Sequence, residues 1–315
     1  MLENPQSPAR HSKAAPVPAP GQAAPAQSAP GYASVFRPGL FAGQLIWVTG
    51  GGSGIGRCVA HELASLGAHV LISGRKAEKL DRVAAEITQD GGRCSTEAFD
   101  IRDEDAVREG VARVLAQHGP ISGLVNNAGG QFPAPLLAIP KKGFDAVVAN
   151  NLTGGFLMMR EVFTQCMQER GGSIVNMTAD FRNGMPGMGH SGAARAGMSN
   201  LTMTAAYEWA HADVRVNAVA PGWIASSGMD TYGGAMRAFI PKLKQHVPLR
   251  RMGVEAEVSA AIVFLLSPAA AFITGITLQI DGAASLGSDI FPLGDEARST
   301  PFDGFHRAVT PEVLK

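Results

Sequence analysis

The sequence predicts one doubly wound α/β domain: a parallel sheet of about seven strands with helices on both faces. Three observations lead there. Short apolar runs ended by glycine or polar residues alternate with helix-length stretches from roughly residue 40 to 285. A glycine-rich turn lies between the first apolar run and the first helical stretch. No internal repeat and no second core interrupts the alternation, and 45% hydrophobic residues in 315 suffice for one large core.

The elements follow in order. "PVPAPGQAAPAQSAPG", Pro16 to Gly31, is low-complexity and buries nothing, so residues 1–35 are expected to form a disordered tail. It has neither the apolar stretch of a signal peptide nor the arginines of a transit peptide. "LIWVTG" is a buried strand, and Gly56 to Leu66 a helix with Val59, Leu63 and Leu66 on one face. "HVLIS" and Glu78 to Ile87 repeat the unit, as do "STEAFD" and Asp105 to His118. "GLVNNAG", "GSIVNMT", "VRVNAVAPG" and "ITLQIDG" supply four more strands. Helical stretches run from about Phe144 to Glu169 and from about Ala194 to His211. Strands separated by helices pair in parallel through right-handed crossovers. Trp223 to Val247, with Gly228, Gly233 and Gly234, is expected to form a lid, and residues 287–315 an extension beyond the domain of 36–286.

Charge and cysteine content narrow the function classes. Lys+Arg and Asp+Glu both number 27, with no basic run, so a nucleic-acid partner is not expected. The run "AAIVFLLSPAAAFITGITL" is broken by Pro268 and Gly275 and is too short on either side to span a bilayer. Cys58, Cys94 and Cys166 form no CxxC and fit a reduced, cytoplasmic setting. His61 beside Glu62 is not HExxH, and no metal is expected.

"TGGGSGIG", Thr49 to Gly56, joins the first strand to the first helix, as in a Rossmann-type nucleotide site. Gly50, Gly54 and Gly56 let the backbone approach a pyrophosphate, and the helix N-terminus offers free N–H groups to it. NAD-binding units usually end the second strand with an acid. Here Gly74 stands in that place, followed by Arg75 and Lys76. An arginine there pairs with a 2′-phosphate, so NADPH is expected over NADH.

The motifs "TGGGSGIG", "FDIRD", "NNAG", "NLTG", "GSIVNM" and "VRVNAVAPG" resemble, in order and spacing, the markers of the short-chain dehydrogenase/reductase family. The resemblance implies cofactor contacts from Gly50, Ser53, Gly54, Ile55, Gly56, Arg75, Lys76, Asp100, Ile101, Asn127, Ala128, Gly129, Arg195, Pro221, Gly222 and Ile224. Asp100 would face the adenine, Asn126 would support the central strand, and Asn151 would be the active-site helix asparagine. Assembly as a homotetramer is implied by resemblance alone.

The family's Tyr-x-x-x-Lys pair falls on Ser191 and Arg195 in "HSGAARAGM", and its serine on Thr178 or Ala179. A serine hydroxyl is too weak an acid to replace the tyrosine, and arginine stays protonated. Reduction of a C=C bond conjugated to a thioester needs only donors for an enolate oxygen. Ser191, Asn151 and backbone N–H groups would serve, with Arg195 on the ribose. "NNAGGQF", "LTMTAAYEWA", "TYGG" and "PAAAFITG" resemble the peroxisomal trans-2-enoyl-CoA reductase branch, and 2,4-dienoyl-CoA reductases also have serine at the tyrosine position. An acyl-CoA-type or other conjugated substrate is therefore expected. The closing Val-Leu-Lys does not match a Ser-Lys-Leu peroxisomal address.

Two other readings stand beside it. One is an alcohol dehydrogenase or carbonyl reductase acting on a terpenoid or alkyl, citronellol-type substrate, with Asp180, His190 or Tyr232 as the acid. The other is a non-catalytic NADPH-binding protein.

Overall fold

Strand β1 (Leu45–Thr49) shows why the sheet is buried on both faces. Ile46 and Val48 point into one apolar layer, and Leu45 and Trp47 into the other. The computed structural model describes residues 31–286, 294 and 296–315. Most of the expected tail, residues 1–30, and residues 287–293 of the extension lie outside the described residues.

From β1 the chain runs through α1 (Gly54–Ser65), β2 (His69–Gly74), α2 (Ala77–Gln89), β3 (Arg93–Ala98), α3 (Glu104–His118) and β4 (Ile121–Asn126). Next come α4 (Lys141–Val148), α5 (Gly154–Val162), α6 (Gln168–Arg170), β5 (Gly172–Met177), α7 (Gly189–Trp209) and β6 (Val214–Pro221). The order closes with β7 (Ile224–Ala225), α8 (Gly234–Phe239), β8 (Gly253–Val254), α9 (Glu255–Leu266) and β9 (Thr277–Ile280). Seven strands form one parallel sheet in the order β3-β2-β1-β4-β5-β6-β9, and β7 and β8 pair separately. The expected fold class is thus the observed one.

Strand order reverses between β2-β1 and β4, which opens a crevice beyond the C-terminal ends of β1 and β4. One core layer packs α1 and α9 on the sheet through Leu63, Val258 and Ile262. The other packs α3, α5 and α7 through Val111, Met158 and Met198.

Three expectations are corrected in detail. The helical stretch from Phe144 to Glu169 starts earlier, at Lys141, and is interrupted by π-turns at Ala149–Thr153 and Phe163–Met167. The first of these turns carries Asn151. Helix α7 begins at Gly189 rather than near Ala194, so His190 and Ser191 lie in its first turn. Residues 31–35, assigned to the tail, are tied down: Ala33 N donates to Gly304 O at 2.9 Å, and Ser34 Oγ to Glu62 Oε1 at 2.7 Å. Among the described residues no helix is long and apolar enough to cross a membrane.

Candidate active site

A cleft of about 790 Å³ opens at the crevice. One end is walled by Gly50, Ser53, Gly54, Arg75, Lys76, Lys79 and Asp100, and the other by Met185, Met188, Trp223, Met229, Tyr232, Ile240 and Leu243. Ile55, Ile101, Asn127, Ala128, Gly129, Arg195, Pro221, Gly222 and Ile224 line it too, and so does Asp180.

The glycine turn leaves no room for side chains at Gly50, Gly51 and Gly56. A Cβ on Gly50 would stand 2.9 Å from Ala128 Cα, and the residue has φ +67°. A Cβ on Gly56 would meet Asn127 Nδ2 at 2.4 Å. Gly56 therefore packs the turn against β4 and does not line the cleft. Thr49 ties the same parts together: its Oγ1 accepts from Asn127 N and Ala128 N, both at 3.0 Å. Ser53 stands at the N-cap of α1 with no side-chain cap bond, which leaves its hydroxyl and the helix N-terminus for phosphate. Asp100 is held by Arg102, whose Nε donates to it at 2.9 Å, and that bond lowers its carboxyl below the ordinary value despite some burial.

Arg195 is fully buried in charge-poor surroundings. Its Nη1 donates to Met177 O at 2.6 Å, and its Nε is buried without a partner. Burial pushes the guanidinium down to about 10, still protonated at neutral pH. A buried cation with a spare donor beside Gly129 fits the ribose and nicotinamide end of a dinucleotide. The glycine cradle, the free N-terminus of α1 and this donor together suit a nicotinamide cofactor.

The expected oxyanion donors stand otherwise than foreseen. Ser191 is fully buried and does not line the cleft. Its Oγ donates to Gln131 Oε1 at 2.7 Å, and Gln131 Nε2 donates to Tyr232 Oη at 3.3 Å. Gln131, from the loop after β4, thus stands between Ser191 and the cleft and leaves the phenolic hydrogen of Tyr232 free. Asn151 spends both amide atoms on Gly130, accepting from its N at 2.9 Å and donating to its O at 3.0 Å. It holds the Gly129–Gly130 loop and does not line the cleft.

Thr178 Oγ1 donates to Val219 O at 2.8 Å, so that hydroxyl proton is also engaged. His190 is buried against Phe132, accepts from Ser191 N at 2.9 Å and lies off the cleft. Asp180 is half-buried, with Oδ1 out of solvent and unpartnered. Burial raises its carboxyl above the ordinary value, and the nearby Asp281 charge adds to this. Among the described residues Asp100 and Asp180 are the only carboxylates lining the cleft.

Sequence reasoning missed Gln131, Thr49 and Lys79. Thr49 opens the motif "TGGGSGIG", Gln131 lies inside "NNAGGQF" and Lys79 follows Arg75 and Lys76, so their positions were in view. Their contacts were not: Gln131 is 60 residues from Ser191. One group with donor atoms close enough for a metal, His61, Asp90 and His306, also went unseen. Arg307 and Arg57 already engage Asp90 and the neighbouring Glu86, which makes it an ion-pair knot.

Comparison with known proteins agrees with the cleft. Residues 50–285 match a family described as Enoyl-(Acyl carrier protein) reductase. A peroxisomal 2,4-dienoyl-CoA reductase of Danio rerio is 34% identical over 82% of this chain and 86% of its own. A probable 2,4-dienoyl-CoA reductase of Bacillus subtilis is 34% identical over 76% and 95%. The solved structure of the citronellol catabolism dehydrogenase AtuB from Pseudomonas aeruginosa PAO1 is 64% identical, with a TM-score of 0.74, and covers 81% of this chain and 100% of that one. With the glycine turn, the sheet order and these matches in agreement, the chain belongs to the short-chain dehydrogenase/reductase family of NAD(P)-dependent oxidoreductases.

Proposed function

We propose that the chain is an NADP-dependent dehydrogenase that interconverts an acyclic, branched apolar alcohol of the terpenoid class and its carbonyl. The cleft's distribution of charge carries this reading. Its cationic lining residues are Arg75, Lys76 and Lys79 at one end and the buried Arg195 at its base. The other end has no cationic lining residue: Met185, Met188, Trp223, Met229, Ile240 and Leu243 stand there with the hydroxyls of Ser226, Ser227, Thr231 and Tyr232. A coenzyme A thioester brings phosphates that call for basic partners at that end; a branched hydrocarbon calls only for apolar contact. The 64% identity to a dehydrogenase of citronellol catabolism supports the same class.

A nicotinamide cofactor held by the glycine turn, the N-terminus of α1 and Arg195 would supply the hydride acceptor for the carbinol carbon. The alcohol's proton must leave as well, and Asp180 is the group suited to take it. Its place in the cleft lining and its raised carboxyl make it a base in oxidation and, once protonated, an acid in reduction. Tyr232, with Gln131 donating to its oxygen, turns its hydroxyl hydrogen toward the substrate oxygen and orients it. Ser191 fixes Gln131 in that pose. Arg195, with its spare Nε donor, would hold the cofactor ribose.

A second reading, C=C reduction of an enoyl thioester, is favoured by Ser191 and Arg195 in place of tyrosine and lysine and by the dienoyl-CoA reductases among the relatives. There Tyr232, rather than Ser191, would donate to the enolate oxygen. Turnover of citronellol with NADP+, set against crotonyl-CoA and longer enoyl-CoAs with NADPH, separates the two. The proposal expects the alcohol to react and Asp180→Asn to abolish the reaction.

A further inference from the structure

The family match ends at residue 285, yet the segment 296–315 is woven into the molecule. Phe305 is buried between α1 and Tyr32, with Arg57 over its ring at 5.1 Å and Tyr32 stacked at 5.7 Å. Arg307 pairs with Asp90 at the end of α2 at 2.7 Å. Arg251 Nε donates to Ser299 Oγ at 2.9 Å. The segment then reaches the lid. Its last turn, Glu312–Leu314, presents two backbone N–H groups to one lid carboxylate: Asp230 Oδ2 accepts from Glu312 N at 3.1 Å and Oδ1 from Val313 N at 3.0 Å. Val313 and Leu314 pack on the cluster of Met229, Ile240, Leu243 and Met252. Met229, Ile240 and Leu243 also line the cleft on their other side.

We infer that the turn Glu312–Leu314 is the outer layer of the substrate lid and sets how large an apolar chain the cleft accepts. The lid's own elements are short: a 3₁₀ turn at Ser227–Thr231, the six-residue α8 and a further turn at Ile240–His246. Short helices of this kind hold little structure unaided. Apolar packing from outside and a shared carboxylate fix where Met229, Ile240 and Leu243 stand. Asp230, Val313 and Leu314 are positioning residues, since none of them needs to touch the substrate. For the class of substrate the inference rests on the proposed function; for the mechanics of the lid it does not.

The test uses Asp230→Ala and a chain ending at Thr310, with two readouts. Hydrogen exchange of residues 226–246 is measured on the protein without substrate. Loss of paired bonds to a carboxylate is worth about tenfold or more, so exchange there should quicken by at least about tenfold while the strands stay unchanged. KM for alcohols of increasing chain length should rise about tenfold for the longest. It should hardly move for the shortest, with kcat and NADPH affinity kept. Asp230→Asn, which retains one acceptor, should fall between. Unchanged lid exchange in Asp230→Ala overturns the inference, even if the shortened chain fails to fold. If the wild type oxidises no alcohol, the functional reading fails and the exchange result still decides the role of the turn.

Discussion

Among the described residues Arg195 carries its charge into a place with no carboxylate beside it and bonds only Met177 O. An uncompensated buried cation destabilises the fold it sits in. Arg195→Met should therefore leave the melting temperature of the ligand-free protein unchanged or higher. It should weaken NADPH binding by about 1.5–3 kcal/mol, the scale of a charged hydrogen bond; calorimetric titration beside a melting curve checks both at once. Arg75 is expected to discriminate between cofactors. Arg75→Ala should weaken NADPH by about 1–3 kcal/mol and hardly affect NADH. Equal losses for the two would remove the 2′-phosphate role. At this scale the sequence told which positions depart from the family pattern, because Ser191 and Arg195 sit in a fixed motif. It did not tell what those side chains touch. Gln131 intercepting Ser191, and Asn151 bonding Gly130 through both amide atoms, join a loop to helical turns remote in sequence, with no periodicity to reveal them.

Elements were legible where burial is periodic. The central strands β1, β2, β4, β5 and β6 read as apolar runs because both faces are covered, whereas the edge strands β3 and β9 are only partly buried. The π-turns around Asn151 and Cys166 were not legible, since an extra residue in a helical turn leaves the apolar spacing nearly intact. The elements within residues 223–247 were not foreseen because they are short and held by packing. Helix α9 brings a testable charge. Burial raises Glu255, its first residue, to about 7 from an ordinary 4.5. The native state thus holds the proton where the unfolded chain releases it. Stability from this group is full below about pH 4.5 and is lost as pH rises through about 7. Glu255→Gln should then be more stable than the wild type at pH 8 by about 1–3 kcal/mol, the gain shrinking toward pH 5. Urea unfolding at both pH values measures it. The lid itself should exchange amide hydrogens more slowly when cofactor and substrate are both bound. Equal protection with and without them would mean that residues 223–247 are a fixed wall.

On the scale of the whole molecule, strand order places one cleft at the switch point, and charge divides that cleft in two. Arg75, Lys76 and Lys79 stand at one end, and a chamber walled mainly by apolar side chains lies against residues 223–243 at the other. The sequence alone argued from the missing tyrosine toward a thioester. The lining of the chamber and the 64% identity to AtuB turn the argument toward an apolar terpenoid. The two chemistries differ in what becomes of oxygen. An alcohol must give up a proton there, and a thioester need only be polarised. The most direct measurement is the rate of NADP+ reduction with citronellol, for the wild type and Asp180→Asn, beside NADPH oxidation with crotonyl-CoA and decenoyl-CoA. The account predicts turnover of the alcohol, a loss of at least about 10²-fold in Asp180→Asn as expected for a general base, and little reaction with either thioester. Rapid reduction of the thioesters, unaffected by Asp180→Asn, with no oxidation of any alcohol, would contradict it.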